Sequence, residues 1–175
     1  MAKKQELILA GSGGQGLVMM GILLGQAANE AGYTVAQTQS YGIAARGGVS
    51  YSEVVISEEE IIYPKVTDPD MILALTEETY WLFRRKYPEK KILVDADAID
   101  PKDDPNARAL PLSTYCREVG DMRVLNLLSI GVVLGATAAI PREAVEQTIA
   151  QRFPKATEIN LAAFHRGIEM IVGAV

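Results

Sequence analysis

Leu7-Ile-Leu-Ala-Gly-Ser-Gly-Gly-Gln-Gly16 is an apolar run that breaks into glycines. Four consecutive apolar residues without alternation read as a strand buried on both faces. Beyond the glycines, Leu17, Met20, Leu24, Ala28 and Ala31 recur at helical spacing. They predict a helix from about Gln15 to Ala31, stopped by Gly32. Its polar stripe is only Gln26, Asn29 and Glu30, so the helix should be covered on most sides. Strand, Rossmann-like glycine turn and helix form the opening unit of an α/β fold.

The same alternation continues outward. Tyr33–Thr38 reads as a second strand, Gln39–Gly48 as a glycine-rich loop and Val49–Ile56 as a third strand. An acidic turn at Glu58–Glu60 leads to a short extended piece that Pro64 ends. Asp70–Leu75 is another apolar strand. Thr76 can cap a helix running to Lys86, with Glu77 and Glu78 in its first turn and Arg84, Arg85 and Lys86 in its last. Lys91–Asp95 is a strand, Asp97–Arg108 a polar loop, and Ala109–Leu112 a further short strand. A short helix starts at Ser113 or Thr114 and ends at Gly120. Three helices, at about 124–139, 141–152 and 158–173, complete the chain, with Pro141 opening the middle one. No linker or repeat interrupts residues 1–175, so a single domain is expected: a mostly parallel sheet with helices on both faces and a helical C-terminus.

Composition narrows the function. The chain has 175 residues, 49% of them apolar and 22% charged, which excludes disorder and low complexity. Its 17 Lys and Arg stand against 22 Asp and Glu, a net charge of −5, and it has no basic stripe for nucleic acid. The lone Cys116 excludes an intramolecular disulfide and any iron–sulfur or structural zinc site built on this chain's own thiolates. The lone His165 excludes a multi-histidine metal site. Val124–Pro141 is the longest uncharged run; with Asn126, Ser129 and Thr137 inside it, it reads as a buried or interface helix rather than a membrane span. No apolar signal core follows the start, so a cytoplasmic chain that binds no membrane is expected.

Gly11, Gly13 and Gly16 fit G-x-G-x-x-G in the strand-to-helix context that the dinucleotide fingerprint requires. The acid that should end the second strand is missing: that strand closes on Gln37, Thr38 and Gln39. The loop therefore reads as a tight packing turn, as a site for another anion, or as a surface for a partner chain's backbone. A phosphate loop is excluded, because Leu17 and Val18 stand where Lys and Ser or Thr are needed. The second loop, Tyr41-Gly-Ile-Ala-Ala-Arg-Gly-Gly48, offers Arg46 among small residues, for a carboxylate, a phosphate or an ordinary structural ion pair.

Other candidates read as structural. Asp95, Asp97 and Asp100 lack the turn glycine and closing glutamate of a calcium loop, and Asp95 is read as a cap or loop brace. His165 sits at the edge of an apolar helix face and reads as a packed or interface histidine. Cys116 has no base to pair with. Arg84–Lys91 reads as a helix end and solvated turn, and Gly131-x-x-x-Gly135 as a close helix contact, within the domain or with a partner.

Together these pieces resemble one family. Gly-Ser-Gly-Gly-Gln-Gly at 11–16, Gln37-Thr-Gln-Ser-Tyr-Gly42, Arg46-Gly-Gly48, Glu53-Val-Val-Ile-Ser57 and Tyr63-Pro-Lys-Val66 are similar to the gamma subunit of 2-oxoacid:ferredoxin oxidoreductases. Asp70 with Leu73-Ala-Leu75, Asp95, Asn126, Gly131 and Asn160 continue the match over nearly the whole chain. Gln-Thr-Gln-Ser-Tyr-Gly most resembles the 2-oxoglutarate branch, from which the chain departs at Ile43-Ala44, where that branch typically has Pro-Glu.

The resemblance implies a three-layer α/β/α domain in a complex that decarboxylates a 2-oxoacid with CoA and passes electrons to ferredoxin. It places thiamine diphosphate with magnesium, and the iron–sulfur clusters, in partner alpha and beta subunits and a ferredoxin-like delta subunit. This chain would hold no cofactor or metal and no catalytic residue. Gly11, Gly13, Gly14, Gln15 and Gly16 on one loop, with Tyr41, Arg46, Gly47 and Gly48 on the other, would form one surface facing CoA, another anion or a partner. Self-association of the isolated chain is a further expectation, from Gly131-x-x-x-Gly135 and the apolar C-terminal helices. The competing functions are a free-standing dinucleotide-binding enzyme and a non-catalytic scaffold of the same fold.

Overall fold

The computed structural model describes residues 4–41 and 48–173. The expectations that fall on Arg46, Gly47 and Ile43-Ala44 lie outside these residues, and of Tyr41 only the backbone is described. The elements follow as β1 (Lys4–Ser12), α1 (Leu17–Glu30), β2 (Thr34–Tyr41), β3 (Val49–Ser57), β4 (Met71–Ala74), α2 (Glu77–Lys86), β5 (Ile92–Asp95) and β6 (Ala107–Leu110), then α3 (Leu112–Val119), α4 (Leu125–Thr137), α5 (Arg142–Arg152) and α6 (Thr157–Val172). A 3-10 turn at Met122–Val124 precedes α4.

The strand order is β2-β3-β1-β4-β5-β6. β1, β4, β5 and β6 pair in parallel, while β3 runs antiparallel to both β1 and β2. The sheet is mostly parallel in direction, with β3 the one reversed strand. The reason is the connection: residues 42–48 are too few for the crossover that a parallel neighbour needs, so β2 and β3 pair as a hairpin.

β1 explains its own sequence. It lies between β3 and β4, covered on both faces, and its residues alternate between two cores. Leu7 and Leu9 enter the larger, with α1, α3, α4, α5 and α6. Ile8 and Ala10 enter the smaller, with Tyr80 and Phe83 of α2, Val66 and Ile99. Helices therefore cover both faces, in three layers, but five lie on one side and one on the other. The polar loops around Val66 and Ile99 complete the thin layer.

Several local expectations hold. Thr76 Oγ1 accepts the Thr79 N–H at 3.4 Å and caps α2, whose acidic start and basic end complement the helix dipole. β6 begins two residues earlier than its hydropathy suggests, because its backbone follows β5 in register from Ala107. Arg84 departs from the solvated-turn reading. It pairs with Asp104 at 2.7 Å and donates to the carbonyls of Pro88 (2.7 Å) and Lys90 (3.0 Å), tying α2 to the loop before β6. Gly131-x-x-x-Gly135 is used within the domain. A Cβ on Gly131 would strike the Phe164 carbonyl, one on Gly135 would press Ile168 Cα at 3.2 Å, and Gly167 answers from α6. That motif therefore supplies no contact to a second copy.

Candidate functional site

α1 leaves β1 toward one face and α2 leaves β4 toward the other, and β1 and β4 are neighbours. This is the switch point at which open α/β sheets form a crevice beyond their strand ends. Gly11–Gly16 sits at that point.

The glycine loop is closed on itself. Gln15 Oε1 accepts the Ser12 N–H at 2.7 Å, and Gln15 N–H donates to the Ser12 carbonyl at 3.2 Å. Gly16 has φ +72°, and a Cβ there would collide with the Asn126 side chain. Its carbonyl accepts from Met20 at 3.0 Å, and α1 starts at Leu17, two residues later than the apolar spacing suggests. No side chain caps α1, and no acid stands in its first turn. That end carries partial positive charge without a protein carboxylate to meet it.

The second loop reaches the same edge. β3 begins beside the end of β1, Ser12 opposite Val49, and Gly13 N–H donates to the Gly48 carbonyl at 3.4 Å. β2 also ends there, with Tyr41 opposite Ser50. Gly11, Gly13, Gly14, Gln15, Gly16, Gly48 and the Tyr41 backbone thus share one edge.

Next to this edge lies a crevice of about 430 Å³ lined by Gly14, Gln15, Ser113, Met122, Arg123, Leu125 and Asn126. Asn126 Oδ1 is buried there without a hydrogen-bond partner. Met122 is half-exposed. Arg123 reaches into solvent but is held bidentately by Asp121, Nε to Oδ1 at 2.8 Å and Nη2 to Oδ2 at 2.7 Å. Those bonds hold the half-buried Asp121 carboxyl down at about 2. Ser113, Met122 and Arg123 escaped the sequence reading, because no motif marks them and only the packing of α3 against α4 brings them to the glycine turn.

The remaining candidates are structural. Asp95 is buried and accepts Ser113 Oγ and the Ser113 N–H at 3.2 Å. Asp97 accepts the Thr114 N–H at 2.7 Å and pairs with Arg117 at 2.7 Å. The two carboxylates cap the start of α3, as a loop brace would. His165 Nε2 meets Glu146 at 2.7 Å between α5 and α6. Burial pushes the Cys116 thiol up to about 11, with the Asp95 and Asp121 charges adding to it. Such a thiol is inert at neutral pH. Among the described residues no three acidic, cysteine or histidine side chains gather as a metal site, and no helix is long and apolar enough to cross a membrane.

The topology also weakens the dinucleotide alternative. The fingerprint needs an acid at the end of the parallel strand beside β1. Here β3 occupies that place and runs the other way, while β2 lies one strand further out.

Comparison with known proteins agrees with the geometry. Residues 6–170 match the family described as pyruvate ferredoxin/flavodoxin oxidoreductase. The chain belongs to this family. It is 37% identical to the 2-oxoglutarate synthase subunit KorC of Methanocaldococcus jannaschii, over 95% of this chain and 94% of that one. Among solved structures of the family, the keto/oxoacid ferredoxin oxidoreductase gamma subunit of Geobacter sulfurreducens superposes with a TM-score of 0.82 at 34% identity, covering 99% of both chains. The 2-oxoglutarate:ferredoxin oxidoreductase of Magnetococcus marinus, solved with 2-oxoglutarate, coenzyme A and succinyl-CoA bound, shares the fold at a TM-score of 0.90 and 20% identity. The present chain covers 32% of that longer chain, so there the same fold is one part of a larger polypeptide.

Proposed function

We infer that this chain is the gamma subunit of a 2-oxoglutarate-type 2-oxoacid:ferredoxin oxidoreductase. The complex would convert the 2-oxoacid and CoA to acyl-CoA, CO2 and reduced ferredoxin. End-to-end similarity to KorC and gamma chains supports the assignment. The observation that carries the site is the meeting of the two glycine loops at the switch-point edge, Gly13 on Gly48.

In this reading Gly11–Gly16 and Tyr41–Gly48 form the surface that completes the assembly and borders the CoA path. Arg46 meets an anion there, a CoA phosphate or a partner carboxylate. The uncapped α1 start adds partial positive charge at the Gly11–Gly16 end of that surface. Thiamine diphosphate, magnesium and the iron–sulfur clusters belong to alpha, beta and ferredoxin-like delta subunits. A single buried cysteine with a raised pKa is no ligand set for a cluster. An acidic chain with one buried thiol suits the reducing cytoplasm.

The test is a pull-down of the tagged chain from its host, with mass spectrometry and a 2-oxoacid- and CoA-dependent dye-reduction assay. Co-purified thiamine and iron–sulfur subunits with activity are expected, and 2-oxoglutarate should be the preferred acid. A chain recovered alone and inactive would defeat the assignment. Within the complex, Arg46→Ala should raise the KM for CoA or weaken assembly while the purified subunit keeps its melting temperature. Unchanged kinetics and assembly would remove Arg46 from the site.

A further inference from the structure

The two edges of the sheet are built differently. β6 is four residues long, carries Arg108 and is flanked by Pro105 and Pro111. The Arg108 guanidinium caps α6 by donating to the carbonyls of Met170 (3.0 Å) and Ile171 (3.1 Å). Shortness, charge and prolines are the devices by which proteins prevent strand pairing at an edge. β2 has none of them. Its eight residues, Thr34-Val-Ala-Gln-Thr-Gln-Ser-Tyr41, include no charge, proline or glycine. It pairs with β3 through eight consecutive residues without a bulge. Every second residue of such an edge strand turns its N–H and C=O away from the sheet. Among the described residues no backbone group bonds to that outer side.

We propose that β2 pairs antiparallel with β2 of a second copy of this chain, joining two six-stranded sheets into one. The side chains argue for a copy as the occupant. A two-fold axis normal to the sheet keeps each face continuous and places residues of like parity opposite one another. With Thr38 on the axis, Gln37 lies opposite the second copy's Gln39, twice, and Ala36 opposite the second copy's Ser40. Gln37 Nε2 already donates to Ser52 Oγ at 2.8 Å and Thr38 Oγ1 to Glu53 at 2.8 Å, which leaves Gln37 Oε1 to accept from the carboxamide of the second copy's Gln39. A charged strand would meet its own charge. Each copy carries −5, and a neutral contact of this kind adds no local repulsion to that. Eight residues span about 27 Å, enough for a full ladder.

The experiment is sedimentation velocity on the purified full-length chain across a concentration series. Dimer mass is expected at high concentration. Gln39 is exposed, and Gln39→Lys or Gln39→Glu would bring two like charges to about 7 Å across the axis. Each variant alone should weaken dimerisation at least about tenfold, and an equimolar mixture should recover it. Recovery on mixing also shows that both variants are folded. A wild-type chain that stays monomeric, variants that dimerise like the wild type, or a mixture that stays monomeric would each overturn the proposal. These outcomes are independent of whether the chain also enters an oxidoreductase complex.

Discussion

Gly16 shows how tightly one residue can be specified. Its backbone is left-handed, and the space over its Cα is filled by Asn126 from another helix. Gly16→Ala should therefore lose roughly 1–3 kcal/mol, read as a lower denaturant midpoint with an unchanged slope. Glu6 is the contrasting case of a buried charge fully supplied with donors. Burial alone would raise its carboxyl. Lys4 and the N–H groups of Asp68 (2.8 Å) and Thr67 (2.6 Å) outweigh that, and the carboxyl is held below its ordinary value of 4.5. A depressed folded pKa stabilises above the unfolded value and ceases to do so as pH falls through the folded one. Glu6→Gln should cost about 1–3 kcal/mol at pH 7, and the deficit should shrink below about pH 4.5, as pH-dependent urea titrations will read.

At the scale of elements, α4 is the axis of the larger layer. Leu127, Leu128, Ile130, Val132, Val133 and Leu134 are all buried, so up to its last turn it has no solvent face. Its approach to α6 depends on backbone reaching backbone at Gly131 and Gly167. Gly131→Ala should lose about 1–3 kcal/mol, because the new methyl meets a carbonyl that cannot swing aside. Gly135→Ala, facing Ile168 at 3.2 Å, should lose less. Comparing the two melting temperatures tests this. The elements themselves were legible from hydropathy period and caps, since the continuous run Leu7–Ala10 and the capped Thr76 turn carry their signals locally. The reversed direction of β3 was not. Hydropathy alternation is the same for either direction, and only the seven-residue connection and the pairing decide it.

At the scale of the whole molecule, Cys116 reports on the fold. It is completely buried, with its thiol near 11, so a thiol reagent at neutral pH should label it only when the larger core opens. The labelling rate should follow global unfolding across a denaturant series; rapid labelling of the native chain would show a local opening of α3. The sequence by itself determined the α/β class, the order of nearly every element and the two glycine loops, because these rest on local periodicity and on residues that only special backbone positions demand. The family resemblance was also present in its motifs. Tertiary structure alone decided that five helices crowd one face and that the Gly131 motif is spent inside the domain. It alone set β3 between β1 and β2, and brought Ser113, Met122, Arg123 and Asn126 to the glycine turn. Each of these is a contact between residues far apart in the chain, and no local preference encodes which neighbour a buried face will meet.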